Sequence, residues 1–164
     1  MRVQWIQRVA WAGCMLGTLA CLPAAAKAKK PVSAICVEAE TGLVLQEAHA
    51  DLRRPPASMV KLMQMLLVDE GLEAGRWRLD RPITVSKHAE GMGGTQVFLE
   101  AGETWPLARL MKAVAIASAN DAAMAVAEGL WGGEAAYLEA VNRRARELGM
   151  VDSRFSSVHG LPPD

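Results

Sequence analysis

The spacing of apolar residues changes from strand-like to helical near residue 58. Two short apolar runs, residues 32–38 and 43–48, flank a turn at Gly42, which favours an antiparallel hairpin. After a polar, proline-containing connection, apolar residues recur at helical spacing from Val60 to Leu72. The pattern therefore predicts a hairpin followed by a helix whose wide apolar face suits a central position in the fold.

Helical periodicity dominates the second half of the chain. Residues 107–117 and 122–131 predict two helices, separated by the polar segment S-A-N-D-A that begins at Ser118. Residues 133–150 show the clearest amphipathic pattern. One face of this last helix should carry Leu138, Val141, Ala145 and Leu148, and the other Arg143, Arg144 and Glu147.

Weaker signals complete the prediction. Residues 81–86 favour a short strand, residues 90–96 a glycine-rich loop, and residues 155–164 an irregular segment. Strands followed by a helical cluster indicate an α+β fold, with the helices against an antiparallel sheet. Because a two-stranded hairpin leaves its edges unpaired, we expect the remaining strands beyond Asp164, and interpret residues 29–164 as the N-terminal portion of a larger domain.

Composition narrows the range of partners. The chain has 164 residues and no formal net charge, and 51% of its residues are hydrophobic. This length allows one domain with its own core. Without a basic excess, the composition gives no indication of a nucleic-acid partner.

The first residues have the order of a secretory signal peptide. Arg2 and Arg8 precede an uncharged stretch, residues 9–26, that ends in small residues. We therefore predict a signal peptide over residues 1–28 and export to the periplasm or the outer face of the cytoplasmic membrane, an uncleaved membrane anchor being the alternative. Cleavage would leave Cys36 as the single cysteine, which we expect to be buried and inert.

Ser58 and Lys61 are the first candidates for chemistry. Residues three apart on a helix share a face, so both side chains should point into the same space. A partly buried lysine favours its neutral form and could accept the proton of Ser58, which makes the hydroxyl a nucleophile. The alternative is structural, with Ser58 as a helix cap and Lys61 as a solvated charge.

Ser118 and Asn120 form the second candidate group. On extended backbone, residues two apart point the same way, so a hydroxyl and a carboxamide could together relay a proton and hold a peptide-like substrate. The alternative is that one of the two caps the following helix.

The two motifs together carry a family resemblance. S-x-x-K at Ser58 followed some sixty residues later by S-x-N at Ser118 is the arrangement of penicillin-binding proteins and serine β-lactamases. Three segments resemble the D-alanyl-D-alanine carboxypeptidases of the low-molecular-mass class, peptidase family S11. They are A-E-T-G-L-V-L-Q-E-A-H-A-D-L-R-R-P-P-A-S-M-V-K-L-M, M-K-A-V-A-I-A-S-A-N-D-A-A-M-A-V-A-E and F-S-S-V-H-G-L-P-P-D. The resemblance extends from about Ala34 to the end of the chain.

The resemblance implies a fold, a reaction and residue roles. The fold would be that of serine β-lactamases and DD-peptidases, and the substrate a peptidoglycan stem peptide ending in D-Ala-D-Ala, with β-lactams as covalent inhibitors. Ser58 would be the acyl nucleophile, Lys61 its proton acceptor, Ser118 a proton relay to the leaving group, and Asn120 a substrate ligand. The family implies no cofactor and no metal, and leaves open a peripheral membrane association through a segment beyond Asp164.

The chain departs from the family pattern in two ways. The third family motif, K-T-G, does not occur in the sequence, and the family layout would place it beyond Asp164. Gln64 stands where the family often has threonine. Two alternatives therefore stay open, a serine β-lactamase and a degenerate, non-catalytic peptidoglycan-binding relative, although Ala119 replaces the aspartate of the class A β-lactamase motif S-D-N.

Overall fold

The structure is a computed structural model that describes residues 33–161. The predicted signal peptide lies outside these residues. The chain divides after Ala50 into two compact units, each of which is described by itself below.

The first unit contains the predicted hairpin. Strands β1 (Ala34–Val37) and β2 (Val44–Ala48) pair antiparallel, with Ala34 opposite Ala48. Gly42 has a φ of 73°, the left-handed conformation that the turn was expected to need. The hairpin prediction is thus confirmed.

The prediction of a buried Cys36 is wrong. Every residue of β1 and β2 is exposed, and the free thiol of Cys36 is exposed with them. A two-stranded hairpin has no second layer of its own to cover either face, so an apolar sequence does not by itself bury a side chain there.

The second unit consists mainly of helices. In chain order its elements are a 3₁₀ turn (Ala57–Met59), α1 (Val60–Glu73), β3 (Pro82–Thr84), α2 (Lys87–Glu90), β4 (Thr104–Pro106), α3 (Leu107–Lys112), a π-helical turn (Ala113–Ala117), α4 (Asn120–Trp131) and α5 (Glu134–Glu147). This content confirms the α+β class. The helices predicted over residues 60–72, 107–117, 122–131 and 133–150 are all present within a few residues of their expected bounds.

Two short elements were not predicted. Strand β4 pairs antiparallel with β3 and contains only three residues, one of them Pro106. Helix α2 is a single turn that Ser86 caps by accepting a hydrogen bond from the amide of Ala89. Both elements are too short for the spacing of their apolar residues to show a helical or strand period.

The centre of the core is α4, not α1. Residues 120–127 of α4 are all buried, and half of them are alanines, which allow neighbouring elements to approach closely. In α1, by contrast, Leu62 has 62% of its surface exposed.

Helix α1 buries Val60, Met63, Leu67 and Val68 on one side. It is held to α5 by a hydrogen-bonded ion pair between Glu70 and Arg144. Arg144 is therefore not on a free solvent face, and Leu148, expected in the core, is exposed.

In the stretch from residue 33 to residue 161, no helix is long and apolar enough to cross a bilayer.

Candidate active site

Ser58 lies in the middle of the 3₁₀ turn that leads into α1. The residue before it, Ala57, has a φ of 47° and donates its backbone N–H to the carbonyl of Gly160 over 3.1 Å. Gly160 itself has a φ of 68°, and a Cβ at this position would lie 2.3 Å from the carbonyl oxygen of Ala57. The C-terminal segment therefore supports the Ser58 turn, and only glycine fits at the point of contact.

The amine of Lys61 is the centre of the site. Lys61 is only 2% exposed, and its Nζ lies 3.2 Å from Ser58 Oγ, 3.3 Å from Ser118 Oγ, 2.6 Å from the carbonyl oxygen of Ser118 and 2.7 Å from Asn120 Oδ1. The structure thus brings all four residues of the predicted site together around one nitrogen atom. The alternative of a solvated lysine is wrong.

The four neighbours of Nζ differ in what they can do. The two short contacts are to a backbone carbonyl and a side-chain carbonyl, which can only accept hydrogen bonds. The two long contacts are to hydroxyl groups, which can also donate. A neutral amine has two N–H donors and one lone pair, so it can donate to both carbonyls and accept from one hydroxyl. A protonated amine would donate to a hydroxyl as well, so the same positions accommodate an ammonium and a neutral Lys61 whose lone pair faces Ser58 or Ser118.

Burial favours the neutral amine. Removal from water lowers the pKa of Lys61 below its usual value, and the negative charge of Asp121 opposes this shift by raising the pKa. Asp121 lies next to Asn120 at the start of α4 and is fully buried. The amine is thus closer to its neutral form at physiological pH than an exposed lysine.

The backbone at Ser118 differs from the prediction. An extended backbone was expected, but Ser118 is left-handed, with φ 57° and ψ 34°, and ends the π-helical turn. Only Ala119 is extended, and Asn120 already belongs to α4. The left-handed turn brings both the carbonyl and the hydroxyl of Ser118 to Lys61, which an extended strand would not do.

Helix capping does not explain these residues. The residue that precedes α4 is Ala119, which offers no side-chain cap, and the residue that precedes α1 is Met59. Ser58, Ser118 and Asn120 are therefore not N-caps of the helices that follow them, and the N-capping alternative is wrong.

Asn120 links Lys61 to a loop formed by residues 93–99. Its Oδ1 accepts from Lys61, its Nδ2 donates to the carbonyl of Gly93 over 2.7 Å, and its backbone N–H donates to the carbonyl of Thr95 over 2.7 Å. A Cβ on Gly94 would lie 2.8 Å from the same Nδ2, so the loop approaches Asn120 as closely as glycine permits. One N–H of the Asn120 amide remains for a substrate.

Sequence reasoning missed three parts of the site, namely Asp121, loop 93–99 and the contact of Gly160 with Ala57. Asp121 gave a signal, because it is a charged residue at the start of an otherwise apolar helix. The contacts of the loop and of the C-terminal segment with the site gave none, because these backbone hydrogen bonds arise only in the folded chain.

The described residues, 33–161, contain no group of three or more histidine, cysteine, aspartate or glutamate side chains that could hold a metal ion.

Comparison with known proteins supplies the family. The family model described as D-alanyl-D-alanine carboxypeptidase matches residues 22–164. The chain is 41% identical over 129 residues to the D-alanyl-D-alanine carboxypeptidase DacF of Bacillus subtilis, an alignment that covers 79% of this chain and 33% of the relative. The chain thus spans about a third of the length of the curated relatives that it matches.

Solved structures agree with this match. The D-alanyl-D-alanine carboxypeptidase DacD of Francisella tularensis superposes with a TM-score of 0.79 at 29% identity, covering 83% of this chain and 33% of that one. Penicillin-binding protein D2 of Listeria monocytogenes, solved in an ampicillin-bound form, superposes with a TM-score of 0.70 at 29% identity, covering 80% and 52%. These neighbours confirm the predicted DD-peptidase-like fold. The chain therefore belongs to the D-alanyl-D-alanine carboxypeptidase family.

Proposed function

We propose that the protein is a serine-type carboxypeptidase that removes the terminal D-alanine from peptidoglycan stem peptides ending in D-Ala-D-Ala. One observation carries the proposal, the position of Lys61 Nζ between Ser58, Ser118 and Asn120. Family membership supplies the substrate class, because the relatives are named for this activity.

Acylation begins at Ser58. Neutral Lys61 accepts the hydroxyl proton while Ser58 Oγ attacks the carbonyl carbon of the penultimate D-alanine. An O–C bond forms, and the carbonyl oxygen becomes an oxyanion. The separation of 3.2 Å between Oγ and Nζ is at the long end of hydrogen-bond range, as is common before substrate binds.

Collapse of this intermediate releases D-alanine. The C–N bond breaks, and the leaving nitrogen takes a proton that passes from Lys61 through the hydroxyl of Ser118, 3.3 Å from Nζ. The second N–H of the Asn120 amide holds the peptide during this step. The product of this half-reaction is an ester of Ser58, and Lys61 is neutral again.

Water completes the cycle. Neutral Lys61 accepts a proton from the water that attacks the ester carbonyl, and returns it to Ser58 Oγ as the ester bond breaks. The shortened peptide leaves with a free carboxylate. The rate of this second step distinguishes a carboxypeptidase, which would hold a β-lactam as a stable ester, from a β-lactamase, which would hydrolyse it rapidly.

The proposal includes a location and a class of inhibitors. Peptidoglycan lies outside the cytoplasmic membrane, so the predicted signal peptide over residues 1–28 fits the proposed substrate. A β-lactam resembles the D-Ala-D-Ala amide and would acylate Ser58 in the same way. We include residues 29–164 in the proposal as the N-terminal portion of a DD-peptidase catalytic domain.

Covalent labelling tests the proposal. We expect a fluorescent penicillin to label the full-length protein, including the strands expected beyond Asp164, at Ser58, as peptide mass spectrometry would show. We expect Ser58→Ala to abolish the label. Ser156→Ala, which changes an exposed serine of the C-terminal segment, is the matched control and should label normally.

Three outcomes would overturn parts of the proposal. Labelling of Ser58→Ala at the wild-type rate would refute the nucleophile. Rapid turnover of a chromogenic cephalosporin would replace the carboxypeptidase with a β-lactamase. Binding of peptidoglycan with neither labelling nor release of D-alanine would indicate a non-catalytic relative.

A further inference from the structure

Loop 93–99 forms one edge of the candidate site. Two of its carbonyls, those of Gly93 and Thr95, accept hydrogen bonds from Asn120, whose own carbonyl oxygen accepts from Lys61. A change in the loop is therefore transmitted through one residue to the amine. The remainder of the loop has no part in the mechanism described above.

The buried carboxylate of Asp121 fixes this remainder. Its oxygens accept hydrogen bonds from the backbone N–H groups of Val97 and Leu99, each at 3.1 Å, and from that of Ala122 at 2.8 Å. Asp121 is 0% exposed, and the ion pairs found within residues 33–161 do not include it. Backbone amides are thus the hydrogen-bond partners of this carboxylate. The carboxylate holds the chain on both sides of Phe98.

Phe98 is held in an unfavourable state. Its φ is 58°, a region that bulky residues rarely occupy, and its side chain is 82% exposed, while the next residue, Leu99, is buried. A left-handed backbone is unfavourable for a non-glycine residue, and an exposed aromatic ring lacks the favourable free energy of burial. Phe98 belongs to the loop whose Gly93 and Thr95 carbonyls accept from Asn120, and strained residues cluster at active sites and ligand-binding loops.

We propose that Phe98 is a specificity residue whose ring contacts the aliphatic side chain of the residue preceding D-Ala-D-Ala, and that Asp121 is the positioning residue that presents it. This inference rests on the proposed function. The two terminal residues of the substrate carry only methyl side chains, so the preceding residue is the first that can cover an aromatic ring. Contact with it removes the exposed surface of Phe98 from water only when the longer peptide is bound.

A comparison of two substrates tests the inference. The probes are an acylated tripeptide ending in D-Ala-D-Ala, with a long aliphatic side chain at its first residue, and acylated D-Ala-D-Ala alone. We expect Phe98→Ala to lower kcat/KM for the tripeptide about tenfold, and at least fivefold more than for the dipeptide. Phe98→Leu should retain part of the preference because an apolar side chain remains.

Matched variants complete the design. Val151→Ala truncates another exposed apolar residue, 83% exposed, and should change neither rate. Asp121→Asn should lose the tripeptide preference as Phe98→Ala does, and the double variant should lose no more than either single one, since both act on one contact. Because Asp121 is buried, the thermal transition of its variant is measured alongside. If Asp121→Asn unfolds, Phe98→Ala still tests the inference, because it changes an exposed side chain.

The outcomes separate the inference from the proposed function. Equal losses on both peptides, or no loss in Phe98→Ala, would overturn the inference while the carboxypeptidase activity stands. A wild-type protein that hydrolyses neither peptide would overturn the proposed function and this inference with it.

Discussion

A lysine amine among four oxygen atoms is subject to opposing influences. Removal from water favours the neutral amine, while the nearby charge of Asp121 favours the protonated one. The balance lowers the pKa of Lys61, and only the neutral form can accept the proton of Ser58. Reactivity at this site is therefore a property of the surroundings as much as of the residue.

Replacement of Lys61 by arginine tests the proton transfer. Because a guanidinium is effectively always protonated, we expect Lys61→Arg to lower the rate of acylation by penicillin at least about 100-fold, even though the charge is kept. In the wild type the rate should fall as pH drops through the lowered pKa of Lys61, because the amine becomes protonated. Stopped-flow labelling across a pH series measures both effects.

The control for this experiment is Lys87→Arg, the same substitution at an exposed lysine of α2, which should leave the rate unchanged. A rate in Lys61→Arg within tenfold of the wild type would show that Lys61 does not act as a base.

The sequence predicted the pairing of some site residues but not of others. Ser58 and Lys61 could be paired from the sequence because their spacing places them on one helical face. Asp121 and Phe98 could not, because their relation depends on backbone amides of a loop more than twenty positions away from the carboxylate along the chain. Local spacing predicts neighbours within an element but not hydrogen bonds between elements.

At the scale of elements, the contact between the C-terminal segment and the Ser58 turn can be tested by adding one methyl group. Gly160→Ala places a Cβ 2.3 Å from the carbonyl oxygen of Ala57, so the turn that carries Ser58 must move. We expect a loss of about 2–4 kcal/mol in the free energy of unfolding and a slower acylation of Ser58. Denaturant titration and penicillin labelling measure the two effects.

Gly75→Ala is the matched control, since Gly75 has nearly the same backbone conformation, φ 67°, but nothing within 4 Å of an added Cβ. It should show only the conformational cost of about 1 kcal/mol and an unchanged acylation rate. Equal effects of the two substitutions on both measurements would show that the collision with Ala57 has no bearing on the site.

Elements with a clear period were predicted well, and short ones were not. The four long helices and the hairpin follow from apolar spacing, whereas α2 and β4 contain four and three residues and are defined by a cap and a strand partner. The left-handed break at Ser118 was also misjudged, because the backbone angles of a polar residue between two helices depend on the packing of both.

For the molecule as a whole, the sequence predicted the class of fold but not how deeply each helix is buried. The apolar face of α1 indicated a central helix, yet the alanine-rich α4 is the most deeply buried, because small side chains permit closer packing than their hydrophobicity suggests. Burial depends on which neighbours arrive, and a hydrophobic pattern does not identify them. The presence of further strands beyond Asp164 stays a prediction.

The left-handed residues of the site also bear on how such a protein changes under selection. Four non-glycine residues within residues 33–161 have a positive φ, and three of them belong to the candidate site or to loop 93–99. These three are Ala57, Phe98 and Ser118. Selection for stability alone would replace them with glycine, while selection for activity would retain them. A lineage released from catalysis should therefore acquire glycine at these positions early.

Phe98→Gly reproduces one of the substitutions expected in such a lineage. We expect it to raise the free energy of unfolding by up to about 1 kcal/mol, a few degrees in Tm, while the preference for the tripeptide is lost. Val151→Gly, at an exposed position with ordinary backbone angles, should lower Tm instead. A lower Tm in Phe98→Gly would mean that the phenylalanine stabilises the fold, and that ancestral sequences kept it for that reason rather than for the substrate.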